Sequence, residues 1–284
     1  MAIERVGVVG CGLMGRGIAQ VCAQAGHATV VSEINDELLA AGMASIERFL
    51  GKGVEKGKIS EEEMQSTLGN LTGTTDLANF AGCDLVIEAA TENREMKLEI
   101  FRSLDEVCGR EAIFGSNTSS LNITEMAVVT GRPDRFVGLH FFNPVPLMRL
   151  VEVVSTMLVD DSVVGEVKAF GEGLGKVVVV ARDRTGFIVN RLLVPYLLGA
   201  IRVLDEGLAT MEDIDQAMKL GCGYPMGPFT LLDLVGIDTT YYIANIMYEE
   251  FREPQFAPPP LLRRMVLAGR HGRKTGRGFY DYSE

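Results

Sequence analysis

The chain has 284 residues, 47% of them hydrophobic, which is enough apolar surface for two domains with cores of their own. A net charge of −11 argues against general affinity for nucleic acid or an anionic membrane, so an anionic ligand has to be met by a local basic patch. The five cysteines, Cys11, Cys22, Cys83, Cys108 and Cys222, lack CxxC or metal-like spacing, so reduced thiols and no metal site are expected. A strand-like run begins almost at the N-terminus, which leaves no room for a targeting peptide, and no apolar stretch reaches the length of a membrane span. A cytoplasmic protein is expected.

Residues 5–10, RVGVVG, read as a strand ending in glycine, and 13–25 as a helix with Ile18, Val21 and Cys22 on one side. Between them Gly10, Gly12, Leu13, Met14 and Gly15 form a GxGxxG turn. Its glycines allow a tight bend and close approach of a pyrophosphate, which the helix N-terminus then faces with unpaired N–H groups. A second strand over 28–32 leads to Glu33, at the distance expected of the acid that accepts hydrogen bonds from an adenosine ribose. Its charge repels a 2′-phosphate and no Arg or Lys follows within 32–38, so NAD is favoured over NADP.

A long helix over 36–57 carries Arg48, Lys52 and Lys56 at four-residue intervals, a basic stripe on an acidic chain. It is either a contact for the phosphates of a bulky anionic substrate or a solvated face. Ser60 with Glu63 matches a capping box and predicts a short helix there.

Strand and helix signals then alternate: strand 85–89, helix 94–107, strand 112–116, helix 123–128 and strand 136–139. Strand 150–154, helix 162–174 and a final buried strand at 176–180 follow. This alternation predicts a doubly wound parallel sheet of Rossmann-like α/β type. Ligands of such sheets lie at the carboxyl ends of strands, where this chain carries Gly10, Glu33, Glu92, Ser119 and His140. His140 is the candidate acid/base, because a neutral imidazole can take a proton from an alcohol and return it to a carbonyl near neutral pH. The SNTSS run at 116–120 contains turn and cap formers, and Ser119 is its candidate for binding a substrate oxygen or the cofactor.

The DRTG segment at 183–186 marks the boundary between domain 1–184 and domain 185–284. The second is all-helical, with helices over 187–206 (kinked or broken early at Pro195), 211–220 (capped by Thr210), from Pro228, and over 238–251. The prolines at 258–260 read as a short rigid loop, and such a bundle suits covering a substrate or pairing with a second subunit.

With GLMGRGIAQ, SNTSSLNITEMA, GLHFFNPVPLMRLVEV, GFIVNRLLVPYL, GYPMGPFTLLDLVGIDT and the closing KTGRGFY in view, the sequence resembles the L-3-hydroxyacyl-CoA dehydrogenases. The likeness covers practically the whole chain and is greatest to the compact 3-hydroxybutyryl-CoA dehydrogenases of bacteria. It implies an acyl-CoA substrate, reversible hydride transfer with NAD, and a homodimer formed through the helical domain.

Residue by residue, the resemblance makes His140 the acid/base and Glu152 the carboxylate that orients it. Ser119 and Asn190 become contacts of the reacting oxygen or thioester region, and Asn143 a contact of the nicotinamide end. Glu92, Lys97 and Lys274 become further cofactor contacts, and Lys56 a contact of coenzyme A. Two positions depart from the family: Glu33 stands where Asp is commoner, and Phe49 where some relatives have a small polar residue, so Phe49 either packs on the adenine or faces the core. His27 and His271 have no carboxylate in their local sequence and read as structural or solvent-facing. A related hydroxyacid dehydrogenase acting on a non-CoA substrate is the alternative.

Overall fold

A computed structural model of the chain describes residues 3–283. It divides into two compact units, the first ending at Arg184 and the second beginning at Thr185.

The first unit opens with β1 (Arg5–Val9), α1 (Leu13–Gln24), β2 (Ala28–Ser32), α2 (Asp36–Glu55), α3 (Glu61–Gly69) and β3 (Leu71–Thr74). It continues with β4 (Leu85–Glu88), α4 (Arg94–Val107), β5 (Ile113–Ser116), α5 (Ile123–Ala127) and β6 (Phe136–Phe141). It closes with β7 (Leu150–Ser155), α6 (Asp161–Gly173) and β8 (Val177–Arg182). The capping box is present: Ser60 Oγ accepts from the Glu63 N–H at 3.1 Å, and the Glu63 carboxylate accepts from the Ser60 N–H at 2.7 Å.

All eight strands form one sheet in the order β3-β2-β1-β4-β5-β6-β7-β8. β1 pairs in parallel with β2 on one side and β4 on the other, so the chain reverses its progress across the sheet at this point. That reversal opens a crevice at the carboxyl ends of β1 and β4. The inner strands β4, β5 and β6 are buried along their whole length, as strands covered on both faces must be. Val6, Val8, Val31, Leu85, Ile87, Ile113, Val137 and Leu139 build the core with Ile18, Ile46 and Leu50 from the helices.

Four expectations for the first unit are corrected. β7 runs antiparallel to β6, because the connection over 142–149 is shorter than the dozen or so residues that a parallel crossover needs. β6 extends through Phe141, so His140 lies within the strand and not beyond it. β8 is an edge strand paired only with β7, which leaves Val177 51% exposed where a buried strand was expected. β3 has no counterpart in the predicted elements, since LTGT is short and its glycine weakens a strand signal.

The turn from β1 to α1 follows from its glycines. Gly10 has φ +96°, and a Cβ there would lie 2.6 Å from Ala90 Cα. A Cβ on Gly15 would lie 1.8 Å from the Gly10 carbonyl oxygen.

The second unit contains α7 (Val189–Asp205), α8 (Met211–Cys222), α9 (Pro228–Val235), α10 (Ile237–Phe251) and α11 (Pro260–Leu267). α7 continues unbroken through Pro195, with the neighbouring Val194, Leu197 and Leu198 buried in the core. α11 starts at the last residue of the proline run, a first-turn position where the missing N–H costs nothing. Buried carboxylates close this unit. Asp215 accepts from the N–H groups of Phe229 (2.7 Å) and Thr230 (3.0 Å) and from the Tyr280 hydroxyl (3.0 Å). Asp233 accepts from the N–H groups of Phe279 (2.8 Å) and Tyr280 (2.9 Å) and from the Tyr282 hydroxyl (3.1 Å). Among the described residues no helix is long and apolar enough to cross a membrane.

Two outcomes are expected. Asp233→Ala strands two backbone donors of the C-terminal tail and is expected to lower unfolding free energy by about 3 kcal/mol in urea titrations; a loss below about 0.5 kcal/mol would show that the tail is held otherwise. Gly15→Ala forces the turn open against backbone and is expected to weaken NADH binding at least about tenfold in fluorescence titrations, while unchanged affinity would separate the turn from nucleotide binding.

Candidate active site

The carboxyl edge of the sheet gathers the polar residues of the first unit. At β1, α1 starts after Gly12 with no side-chain cap, and the space beside Gly12 is open for 4 Å around an added Cβ. Leu13 is exposed and Met14 half-buried. Uncapped first-turn N–H groups in an open cradle suit a pyrophosphate. Glu33, following β2, accepts from the Cys11 N–H at 3.0 Å and from the Ile34 N–H at 2.9 Å, so its carboxylate is fixed beside the same turn. Burial and then the Glu33 charge, opposed by Arg16, push the Cys11 thiol up to about 11, which keeps it protonated at neutral pH. These residues fit a dinucleotide.

His140 and Glu152 are register partners across the antiparallel β6–β7 pair. Directly opposed residues project to the same face, and His140 Nδ1 lies 2.7 Å from Glu152 Oε2, with both side chains buried. A carboxylate can only accept, so the hydrogen of the neutral ring sits on Nδ1. The Phe142 ring stands 4.5 Å from the imidazole, centroid to centroid. Asn117, just past β5, accepts through Oδ1 from the Phe141 N–H at 2.9 Å and ties the two strand ends together. Asn143 is exposed just after β6 and is joined to Pro144 by a cis peptide bond.

Glu92 and Ser119 also meet. Glu92 Oε1 accepts from the Ser119 N–H at 3.1 Å and from its hydroxyl at 3.2 Å, and Oε2 accepts from the Thr118 hydroxyl at 2.8 Å. The loops after β4 and β5 are thereby joined. Lys97 is buried in this structure. It is 1% exposed, pairs with the Glu88 carboxylate, and lies 3.5 Å from Ser116 Oγ, because a buried ammonium needs a carboxylate beside it.

Arg48, Lys52 and Lys56 are all exposed on or just after α2, and Phe49 is 41% exposed, which removes it from the core. In the second unit Asn190 lies in the first turn of α7. Lys274 pairs with Asp238 at 2.7 Å. Burial raises the Asp238 carboxyl, but the Lys274 hydrogen bond and the Thr239 N–H outweigh it and hold the group below the usual carboxylate range. His271 also finds a carboxylate, Asp238 at 3.8 Å, supplied by tertiary structure, whereas His27 packs on the Phe170 ring.

Sequence reasoning missed Glu88, Asn117 and Thr118. Glu88 ends an apolar strand, where a lone carboxylate signals a buried polar partner; Asn117 and Thr118 carry only a general turn signal.

Comparison with known proteins agrees with this arrangement over both units. Residues 5–184 match the model of the 3-hydroxyacyl-CoA dehydrogenase NAD binding domain, and residues 186–282 match that of the 3-hydroxyacyl-CoA dehydrogenase C-terminal domain. The chain is 51% identical over 283 residues to a 3-hydroxybutyryl-CoA dehydrogenase of Mycobacterium tuberculosis, covering 99% of each. It is 47% identical to the mitochondrial hydroxyacyl-coenzyme A dehydrogenase of Sus scrofa, covering 99% of this chain and 91% of that one. The crystal structure of an (S)-3-hydroxybutyryl-CoA dehydrogenase from Ralstonia eutropha superposes with a TM-score of 0.97 at 44% identity, covering 100% of both chains. With its nucleotide turn and its His-Glu pair at one sheet edge, the chain belongs to the 3-hydroxyacyl-CoA dehydrogenase family.

Proposed function

We propose that the protein catalyses reversible NAD-dependent oxidation of (S)-3-hydroxyacyl-CoA to 3-ketoacyl-CoA, with 3-hydroxybutyryl-CoA and acetoacetyl-CoA as its short-chain pair. The observation that carries this reading is the 2.7 Å contact of His140 Nδ1 with Glu152 Oε2 at the sheet edge. The likeness to relatives named for 3-hydroxybutyryl-CoA supports the short chain.

NAD, when bound, takes a hydride from the carbinol carbon in one direction and supplies it in the other. His140 Nε2 accepts the proton of the 3-hydroxyl as the carbonyl forms, and donates it back to the carbonyl oxygen on reduction. Glu152 holds the ring by its hydrogen bond to Nδ1 and stabilises the imidazolium that forms. Ser119, held by Glu92, hydrogen-bonds the reacting oxygen, and Asn190 is a further substrate contact. Gly10, Gly12, Leu13, Met14 and Gly15 receive the pyrophosphate, Glu33 the ribose, and Asn143, Glu92 and Lys274 further parts of the cofactor. Lys56, with Arg48 and Lys52, meets the phosphates of coenzyme A, and Phe49 beside them offers a ring for the adenine. A second copy of the chain pairs through the helical unit, on which Leu192, Leu208 and Leu220 stand exposed.

His140→Ala is expected to lower kcat with acetoacetyl-CoA and NADH by roughly 10² to 10⁴ with NADH binding intact; wild-type turnover removes His140 from the mechanism. Initial rates with acetoacetyl-CoA and with free acetoacetate, each with NADH and NADPH, are expected to be confined to the thioester with NADH. Activity on free acetoacetate favours the non-CoA alternative, and preference for NADPH removes Glu33 from cofactor choice.

A further inference from the structure

The connection between β6 and β7, residues 142–149, starts with Phe142, whose ring stands 4.5 Å from the His140 imidazole, and Asn143. The strand ends at Phe141, so whatever fixes these two residues has to come from the rest of the loop. Behind them the loop closes on itself. The Pro144 carbonyl accepts from the N–H groups of Leu147 and Met148, both at 2.9 Å, so residues 144–148 form one turn.

Two contacts hold that turn. Val145 is 2% exposed, and a Cβ added to Gly17 of α1 would lie 2.9 Å from Val145 Cβ and 3.5 Å from Pro146 Cδ, so the turn packs directly on the helix that follows the nucleotide turn. Lys176, the residue before β8, supplies the second: its ammonium donates to the Val145 carbonyl at 2.7 Å and to the Met148 carbonyl at 2.9 Å. The backbone of Lys176 is itself fixed, since its N–H bonds the Gly171 carbonyl at 3.2 Å and the next residue, Val177, is the register partner of Leu150. Burial holds this ammonium below the usual lysine range, with Cys22 acting against the shift.

An ammonium on the surface meets water with all three donors and gains little from a loop carbonyl; one half-withdrawn from water needs protein acceptors in its place. The apolar contact of Val145 is non-directional and leaves the turn free to rotate, whereas two charge-assisted bonds to carbonyls three residues apart set its orientation. Asn143 is joined to this turn directly, through Pro144. We infer that Lys176 is a positioning residue that clamps the 144–148 turn and thereby sets Asn143 at the nicotinamide end of the cofactor. This rests on reading Asn143 as a nicotinamide contact.

The test compares NADH with ADP-ribose, which keeps the adenosine and pyrophosphate but lacks the nicotinamide, by calorimetric titration of Lys176→Met and of the milder Lys176→Gln. Lys176→Met is expected to raise the Kd for NADH about tenfold while that for ADP-ribose stays within about twofold of the parent's. Lys176→Gln keeps an uncharged donor one atom short of the carbonyls and is expected to raise the NADH value about threefold, again with ADP-ribose unmoved. In a folded Lys176→Met, unchanged affinity for both ligands overturns the inference, and so does an equal loss for both, which is what a merely structural role would give. If Lys176→Met does not fold, an unchanged ratio of the two Kd values in Lys176→Gln overturns it. Asn143→Ala separates the two readings: if its ratio equals the parent's, Asn143 is not the nicotinamide contact; if its ratio rises while that of Lys176→Met does not, only the positioning role fails.

Discussion

The site depends on one pairing, the antiparallel step between β6 and β7. Everywhere else in the sheet the strands run parallel, and residues opposite each other come from strands separated by a crossover helix or a longer excursion. Here a short connection returns the chain on itself and sets Glu152 directly opposite His140. The 2.7 Å contact follows from register and needs no loop to bring the groups together. Rigidity is then inherited from the sheet. Val151 and Val153 flank the carboxylate, and Leu139 and Phe141 flank the imidazole, all of them buried. A polar pair in such surroundings is held to one geometry, because a displaced carboxylate would be left buried without its partner.

Around that pair the crevice is assembled from strand ends that hold one another. Asn117 joins β5 to β6, Glu92 joins the loop after β4 to the loop after β5, and Glu33 joins the end of β2 to the turn after β1. Each tie uses a carboxylate or amide oxygen on a backbone N–H, the strongest acceptors on the donors least able to move. The reversal of strand order at β1 dictates where such ties have to be, because it is there that the loops diverge and leave backbone groups that no ladder satisfies.

Much of this was legible in the sequence, and the parts that were not share a cause. The GCGLMG turn, the acid at Glu33 and the alternation of elements are local patterns, and the structure carries them at the expected places. Strand direction is not local: LVEVV reads the same whether its neighbour runs parallel or antiparallel, and only the length of the connection separates the two. The exposure of β8 is likewise a matter of position in the sheet, since a run of valines looks buried wherever it lies. The burial of Lys97 was not legible either, since nothing nearby in sequence announces that Glu88 has been buried opposite it. His271 was set aside on the same ground, and its carboxylate arrives from α10.

Helix caps show this division within one motif. Asn35, Ser60, Asn93, Asn122 and Thr210 each cap the helix they precede, and each is readable from the residue type and spacing alone. α5 and α9 add a second kind. Asp183 accepts from the Ile123 and Thr124 N–H groups at 3.1 and 2.7 Å, and Asp215 does the same for the first turn of α9, where Gly227 provides no side-chain cap. These acids come from other elements, and they bring full negative charge to the positive end of a helix. A local cap stops a helix; a remote one also fastens it to the element that supplies the acid. The C-terminal KTGRGFY block is explained the same way. Its aromatic residues follow a glycine turn and have no periodicity, yet Asp233 takes the N–H groups of Phe279 and Tyr280. A side chain on Gly278 would collide with that carboxylate, its Cβ 1.9 Å from Oδ1. The glycine is there because an acid from α9 has to reach the backbone beyond it, a constraint that becomes visible only once the chain has folded.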